Sequence, residues 1–472
     1  MRRAFLATLI MFNMMFAGCF EEATEPMIEP VSPLFNTYVP VNDTIPGDVW
    51  NFSTQMMDGS AEIEFPWSVY DKDFGGNCCE HYLATTKEGW ILNFGGEYPT
   101  WSEDRGHTWE EYQPSLITQL GCRTPKYTVP GQEGLGEGSI VQATNGDLIS
   151  MGWFPYPSNS GGDQFYAFLY DAEDQQWQWC YNRLTEPFYD RSWQVEVIGP
   201  ISSAIGSGPY ASLVISNFWH QSTNRGGQIS VDGLNYYYFQ FPDRDDSSLD
   251  TMNIDLKFED LGVEWDHTRP HKEMRAFPVP SGGLYFPNFF SDGGDAFLDT
   301  SLEWWRATTA DGNTLPSQYC SFDSSSALHC ITNNANTFLH QLSWDGGETW
   351  DEYTYNLSGK AEGIEEWEFH ANGAHDLFVL NVRYQSTEGP DVDLVYHVRE
   401  YSQSIMPDTI TNIGLGDLDS TSGAGEDIRF DFATLAVLND GGVVVAYHDS
   451  SDDDPLFAVE HVLPEYGPYP GI

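Results

Sequence analysis

The chain has 472 residues, with 20 Lys and Arg against 71 Asp and Glu, a formal net charge of −51, and 15% aromatic residues. A field of that sign repels nucleic acid and anionic lipid, so neither is an expected partner. The length exceeds one ordinary domain unless the fold is a large repeat architecture.

At the amino terminus, Arg2 and Arg3 precede an apolar run from Ala4 to Phe16 that is interrupted at Asn13. A bilayer span needs about 20 apolar residues, so the run has the length of a signal-peptide core instead. It closes on Phe16-Ala17-Gly18-Cys19, two small residues followed by a cysteine. This junction resembles a prokaryotic lipobox, departing from it at Phe16, where leucine is usual. The resemblance implies that residues 1–18 are a signal peptide and that Cys19 is lipidated; plain secretion with cleavage after Gly18 is the alternative. Residues 19–62 then read as a linker. Over 20–48 they are rich in Pro, Glu and Thr and keep no helical or strand period, so they bury too little apolar surface to offset their ordering entropy.

The folded part is expected over 63–472. No long segment holds apolar residues at a 3.6-residue period. Short aromatic and β-branched runs alternate with Gly, Asn and Asp turns, which is the pattern of an all-β chain. In ATNGDLISMGW (143–153), VPSGGLYFPNFF (279–290) and VLNDGGVVVAYHD (437–449) a polar turn joins two apolar strands, as in a β-hairpin. Units recur near 78–115, 134–185, 192–242, 272–318, 322–357, 363–402 and 428–465, at intervals that suit the blades of a propeller. Six or seven four-stranded blades fit. The segment IEFPWSVYD (63–71) is placed to join the last of them and close the ring, which removes an open sheet edge.

Two segments carry a more specific pattern. WSEDRGHTWEEY (101–112) holds Ser102, Asp104, Gly106, Thr108 and Trp109 as Ser-x-Asp-x-Gly-x-Thr-Trp. LSWDGGETWDEY (342–353) repeats it with Ser343, Asp345, Gly347, Thr349 and Trp350. A carboxylate at the third position can accept backbone N–H bonds across a tight turn, and glycine takes backbone angles that other residues resist. ISVDGLNYYYF (229–239) keeps Ser230 and Asp232, and TTADGNTL (308–315) keeps Asp311, Gly312 and Thr314. The full octets match the Asp box (BNR repeat) of the sialidase-like β-propellers at every defined position, so the chain resembles that family. The resemblance implies Asp-box hairpins on the outer rim, away from any substrate face, with Asp104 and Asp345 holding turns rather than catalysing.

A member with sialidase activity is expected to grip a substrate carboxylate with three arginines, to use a Tyr–Glu pair as nucleophile and to use an Asp as acid/base. The first arginine belongs to an Arg-Ile-Pro motif. That tripeptide is missing here, and Gly138 and Ser139 stand in the strand where it would fall. A relocated set would draw on Arg123, Arg275 and Arg383, with Glu366 serving the nucleophile. Against it, arginines in a chain with 71 acids have many structural partners. The expectation is therefore a surface-displayed propeller binding a glycan or another protein through the loops of one face, without sialidase activity. An exo-acting glycoside hydrolase is the alternative.

Setting Cys19 aside leaves Cys78, Cys79, Cys122, Cys180, Cys320 and Cys330, an even set in an oxidising compartment, and no CxxC spacing suggests zinc. Cys320 and Cys330 flank a turn and are expected to bridge; Cys78 or Cys79 is expected to pair with Cys122 or Cys180. No cofactor is expected beyond Ca²⁺, for which the acidic loops at 242–250 and at Asp452, Asp453 and Asp454 are weak candidates.

Overall fold

The computed structural model describes residues 48–55, 62–71, 82–94, 98–113, 121–123, 137–143, 145–153, 164–183, 190–197, 212–217, 226–256, 276–279, 281–322, 327–334, 337–356, 364–372, 376–385, 389–397, 410–414, 434–438, 443–448 and 455–460. The chain divides into two units, Met1–Pro40 and Val41–Ile472, and all described residues belong to the second. Among them every regular element is a β-strand.

The chain enters through β1 (Asp48–Gln55) and β2 (Glu62–Asp71), an antiparallel pair. The first self-contained sheet is the meander β3 (Tyr82–Thr85), β4 (Ile91–Phe94), β5 (Thr100–Ser102) and β6 (Glu110–Glu111). The second follows in the same order as β7 (Glu137–Gln142), β8 (Leu148–Trp153), β9 (Gln164–Asp171) and β10 (Gln176–Arg183). The third is β11 (Asp190–Glu196), β12 (Ser212–Asn217), β13 (Gly226–Ser230) and β14 (Tyr236–Gln240).

The fourth sheet departs from the meander. β15 (Thr251–Asn253) precedes β16 (Phe277–Pro278), β17 (Leu284–Phe286), β18 (Asp295–Leu298) and β19 (Trp304–Thr308), yet it lies on the far edge and pairs with β19 in parallel. The fifth returns to the meander with β20 (Tyr319–Phe322), β21 (Leu328–Asn334), β22 (Thr337–Ser343) and β23 (Asp351–Asn356).

The rest forms one nine-stranded sheet. It contains β24 (Ile364–Asn372), β25 (Asp376–Gln385), β26 (Gly389–His397) and β27 (Ile410–Gly414), then β1 and β2, and then β30 (Pro455–Glu460), β29 (Val443–His448) and β28 (Thr434–Val437). β2 pairs with β30 from Trp67↔Glu460 to Asp71↔Leu456, so the N-terminal strand completes the last hairpin as the sequence predicts. β1 is a correction. Residues 48–55 were expected in the linker, but they form a strand paired along its whole length with β2, with the aromatic and β-branched Val49, Trp50, Phe52 and Thr54 that favour one.

The first strands of neighbouring sheets lie side by side, β3 by β7, β7 by β11, β11 by β16 and β20 by β24; within the nine-stranded sheet β24 lies by β28, and β28 lies again by β3. The arrangement is all-β and propeller-like. Local turn chemistry makes the repeated hairpins. Thr86 to Trp90, Ala143 to Asp147 and Val279 to Gly283 close in the same way, with the first N–H donating to the fifth carbonyl and the fourth N–H to the first carbonyl. The fourth residue has positive φ in all three, at Gly89, Gly146 and Gly282, where glycine avoids the cost of a Cβ.

Packing between sheets is aromatic. Phe94, Tyr112, Tyr166, Phe168 and Trp179 form one cluster between the first and second sheets. Phe165, Ala167 and Leu169, on the opposite face of β9, join Tyr236 in the next cluster. β9 is thus covered on both faces, which is why QFYAFLYD reads as a nearly continuous apolar run rather than an alternating one.

Cys320 and Cys330 sit opposite each other on β20 and β21 and form a disulfide with Cα atoms 4.2 Å apart. The second disulfide corrects the expected pairing. Cys122 bonds to Cys180 on β10, Cα to Cα 5.4 Å. The Cys122 loop is held there by the third sheet, since Asn235 Nδ2 donates to the Gly121 carbonyl and the Arg123 N–H donates to Asn235 Oδ1. Cys78 and Cys79 lie outside the described residues.

Candidate functional site

Both octets join the third and fourth strands of a sheet, β5 to β6 and β22 to β23, at its outer side. In the first, Asp104 Oδ1 accepts the Thr108 N–H at 2.8 Å and the Ser102 hydroxyl at 3.0 Å, while Oδ2 accepts the Thr108 hydroxyl at 2.6 Å. Ser102 Oγ in turn accepts the buried Gly106 N–H at 2.7 Å. In the second, Asp345 takes the Ser343 hydroxyl, the Glu348 and Thr349 N–H groups and the Thr349 hydroxyl, and Gly347 N–H again donates to serine Oγ at 2.7 Å. Gly106 and Gly347 have φ of 88° and 92°, so the glycine of the octet is required.

Burial raises the pKa of each aspartate, but the hydrogen bonds from its threonine and serine outweigh that and hold both carboxyls below the ordinary value. Carboxylates so engaged are turn acceptors. Trp109 packs against a cluster of Leu83, Ile91, Ala436, Leu438, Val444 and Ala446, between the first sheet and β28–β29, and Trp350 packs against the fourth and fifth sheets. Asp345→Ala is expected to lower stability by roughly 1–2 kcal/mol, at the modest end because the Thr349 bonds are solvent-exposed. Chemical denaturation of the variant beside the parent protein measures it.

The weaker copies divide. Asp232 between β13 and β14 accepts the Ser230 hydroxyl and the Leu234 and Asn235 N–H groups, which is the same turn in the same place. Asp311 also accepts local donors from Asn313, but its turn follows β19 and leaves the sheet. The hairpin between β18 and β19 closes instead on Asp299, which accepts the Ser301 and Glu303 N–H groups and the Trp305 indole. A turn motif is a local signal and does not record which strands it joins.

The residues of a relocated arginine set are dispersed in the chain. Arg123 is committed to the edge of the third sheet, where its guanidinium donates to the Tyr236 carbonyl at 3.0 Å and stacks 4.2 Å over the Tyr237 ring. Arg383 lies on β25, paired with Ile364 and Asp391, and Glu366 lies on β24 opposite Val382. Arg275, Cys19 and Asp452 to Asp454 lie outside the described residues. In the 242–250 loop, Asp243 accepts the Asp245 N–H, Asp246 accepts Ser248, and Arg244 Nε donates to the Phe289 carbonyl. Among the described residues no group of three or more His, Cys, Asp or Glu is set to hold a metal, and no helix is long and apolar enough to cross a membrane.

At the strand expected to carry Arg-Ile-Pro, the backbone is in close contact with its neighbour. A Cβ built on Gly138 would lie 2.1 Å from Phe94 Cδ1 and 2.4 Å from the Met151 carbonyl oxygen. Phe94 is fully buried against Phe168. No side chain, let alone an arginine, fits there unless both the Phe94 ring of the first sheet and the Met151 carbonyl of the adjacent strand shift.

One carboxyl was not singled out in the sequence. Asp295 on β18 is 1% exposed and accepts the Tyr285 hydroxyl, the Asn288 N–H and the Leu315 N–H, each at 2.7 Å. Burial raises its pKa to about 6 against the pull of those donors, and burial followed by the neighbouring Asp295 raises Tyr285 as well. A paired tyrosine and acid suggest chemistry, but both side chains are enclosed, which makes this a structural bracket. Nothing in FSDGGDAF distinguishes Asp295 from Asp292 before the fold exists.

No protein-family model matches the chain, and no curated protein matches it. Among solved structures it is similar to a protein of unknown function from Dyadobacter fermentans, with a TM-score of 0.36, 11% identity, 89% of this chain and 100% of that one covered. It is also similar to the NanB sialidase of Streptococcus pneumoniae, with a TM-score of 0.35, 12% identity and coverage of 84% and 70%. For the Trypanosoma rangeli sialidase the TM-score is 0.26 and the identity 10%, and the chain spans about half of that protein's length, 54%.

Proposed function

We propose that the chain is an exported, lipid-anchored Asp-box propeller of seven blades that binds a glycan or another protein and does not release sialic acid. Seven blades follow if the nine-stranded sheet divides where β1 meets β27 through a single residue pair, Gln55↔Asn412. β24–β27 is then one blade, and β28, β29, β30 and β2 are another. The paired cysteines suit an oxidising compartment, and the charge of −51 disfavours nucleic acid.

The observation that carries the reading against sialidase is the contact at Gly138, in the strand where the Arg-Ile-Pro motif of the family would fall: an arginine at that position would have no room. Losing one charge-assisted contact to a carboxylate removes several kcal/mol, or some thousandfold in rate. The aspartates of the octets are taken up in turns, which leaves the loops of the opposite face as the binding surface. The test is a panel of aryl glycosides, sialoside included, assayed beside a glycan array with the mature protein. Retention of glycans without turnover is the expected result. Release of sialic acid that disappears in a folded Arg383→Ala variant would overturn the assignment.

A further inference from the structure

The seam between the second and third sheets contains polar groups that no described residue satisfies. Gln194 on β11 and Gln228 on β13 are fully buried, and both pair with Val214 of the strand between them, so they lie on the same face of the sheet. Gln194 Nε2 donates to Tyr236 Oη at 3.0 Å, and Tyr236 meets Phe165 of β9 edge to face, so this face is turned toward the second sheet. Gln194 Oε1, Gln228 Oε1 and Gln228 Nε2 have no hydrogen-bond partner among the described residues.

We infer that the protein binds internal water here, with at least one molecule between the Gln194 and Gln228 amides. Leaving three buried amide atoms dry is among the larger penalties a fold can carry. The chemistry of the three selects the ligand. Two carbonyl oxygens require a donor and one amide nitrogen requires an acceptor. A cation would satisfy the oxygens alone and an anion the nitrogen alone, whereas water does both. The site is also enclosed, which excludes a larger solute. Val214 stands between the glutamines on the same face, and their backbones are two strand spacings, roughly 10 Å, apart, a span that two extended amides and one water bridge over the shorter valine.

A crystal structure of the parent protein at high resolution, together with the thermal midpoint of Gln228→Met, tests the inference. The expected density is a water within hydrogen-bond reach of both amides. The methionine variant, similar in length but unable to hold that water, is expected to melt roughly 2 °C or more below the parent. A direct bond between the two amides, a dry seam, or a variant that melts at or above the parent overturns the proposal. If the variant does not fold, the parent structure still decides.

Discussion

Asp295→Ala is expected to destabilise the fold by roughly 4 kcal/mol or more, among the largest effects of any single carboxyl removed from this chain. The carboxyl ties together three segments: β17 through Tyr285, the β17–β18 loop through Asn288, and the connection to β20 through Leu315. Removing it strands two buried donors, from Tyr285 and Leu315, and the partly buried Asn288 N–H at once. Asp295→Asn keeps one accepting oxygen and should lose less.

The pair also sets a pH dependence. Asp295 has a folded pKa of about 6, above its unfolded value near 3.8, so the native state holds its proton over a range where the unfolded chain has lost it. Its contribution to stability is therefore complete below about pH 4 and is lost as pH rises through 6, with an amplitude of roughly 3 kcal/mol. Relief of repulsion among the other acids has the same sign, so the measurement is the difference in unfolding free energy between the parent and Asp295→Asn from pH 4 to 7. That difference should shift by the stated amount across the window; a constant difference would show that Asp295 is ionised throughout.

Gly138→Ala is the second large effect, a loss of roughly 3 kcal/mol or more, or failure to fold. The added methyl would overlap the ring of Phe94 on one side and the Met151 carbonyl on the other, and neither is the far end of a flexible chain. Shortening the obstructing ring should relieve part of the overlap. The double variant Gly138→Ala, Phe94→Leu is therefore expected to be more stable than the sum of its single effects allows, measured as a coupling in a double-mutant cycle. Additive losses would mean that the Met151 carbonyl alone resists the methyl.

Much of the architecture was legible because it rests on local chemistry. The first hairpins of the sheets depend on a turn whose fourth residue has positive φ, and a glycine in a polar cluster marks that position in any context. The octets were equally local, since every donor and acceptor of the Asp104 and Asp345 turns comes from within five residues. The Cys320–Cys330 bridge belongs to the same class, two strands joined by one turn.

What failed depended on distance. The Cys122–Cys180 pairing spans 58 residues, and the Asn235 contacts that hold its loop come from more than 110 residues away. β15 looks like part of a connection, because its parallel partner β19 comes some 50 residues later. The Asp311 turn has the chemistry of an octet, yet only the strand order shows that it leaves the sheet.

By itself, then, the sequence determined the all-β class, the hairpin turns, the two full octets and one disulfide, since each is set by hydrogen bonds or bridges within a dozen residues. Only the tertiary structure decided the second disulfide, the strand borrowed by the fourth sheet, the closed space at Gly138 and the enclosure of Asp295. Those depend on which sheet faces which. That is set by the burial of Phe94, Tyr166, Phe168 and Tyr236 between neighbours, and burial of apolar surface has no direction of its own until the sheets pack.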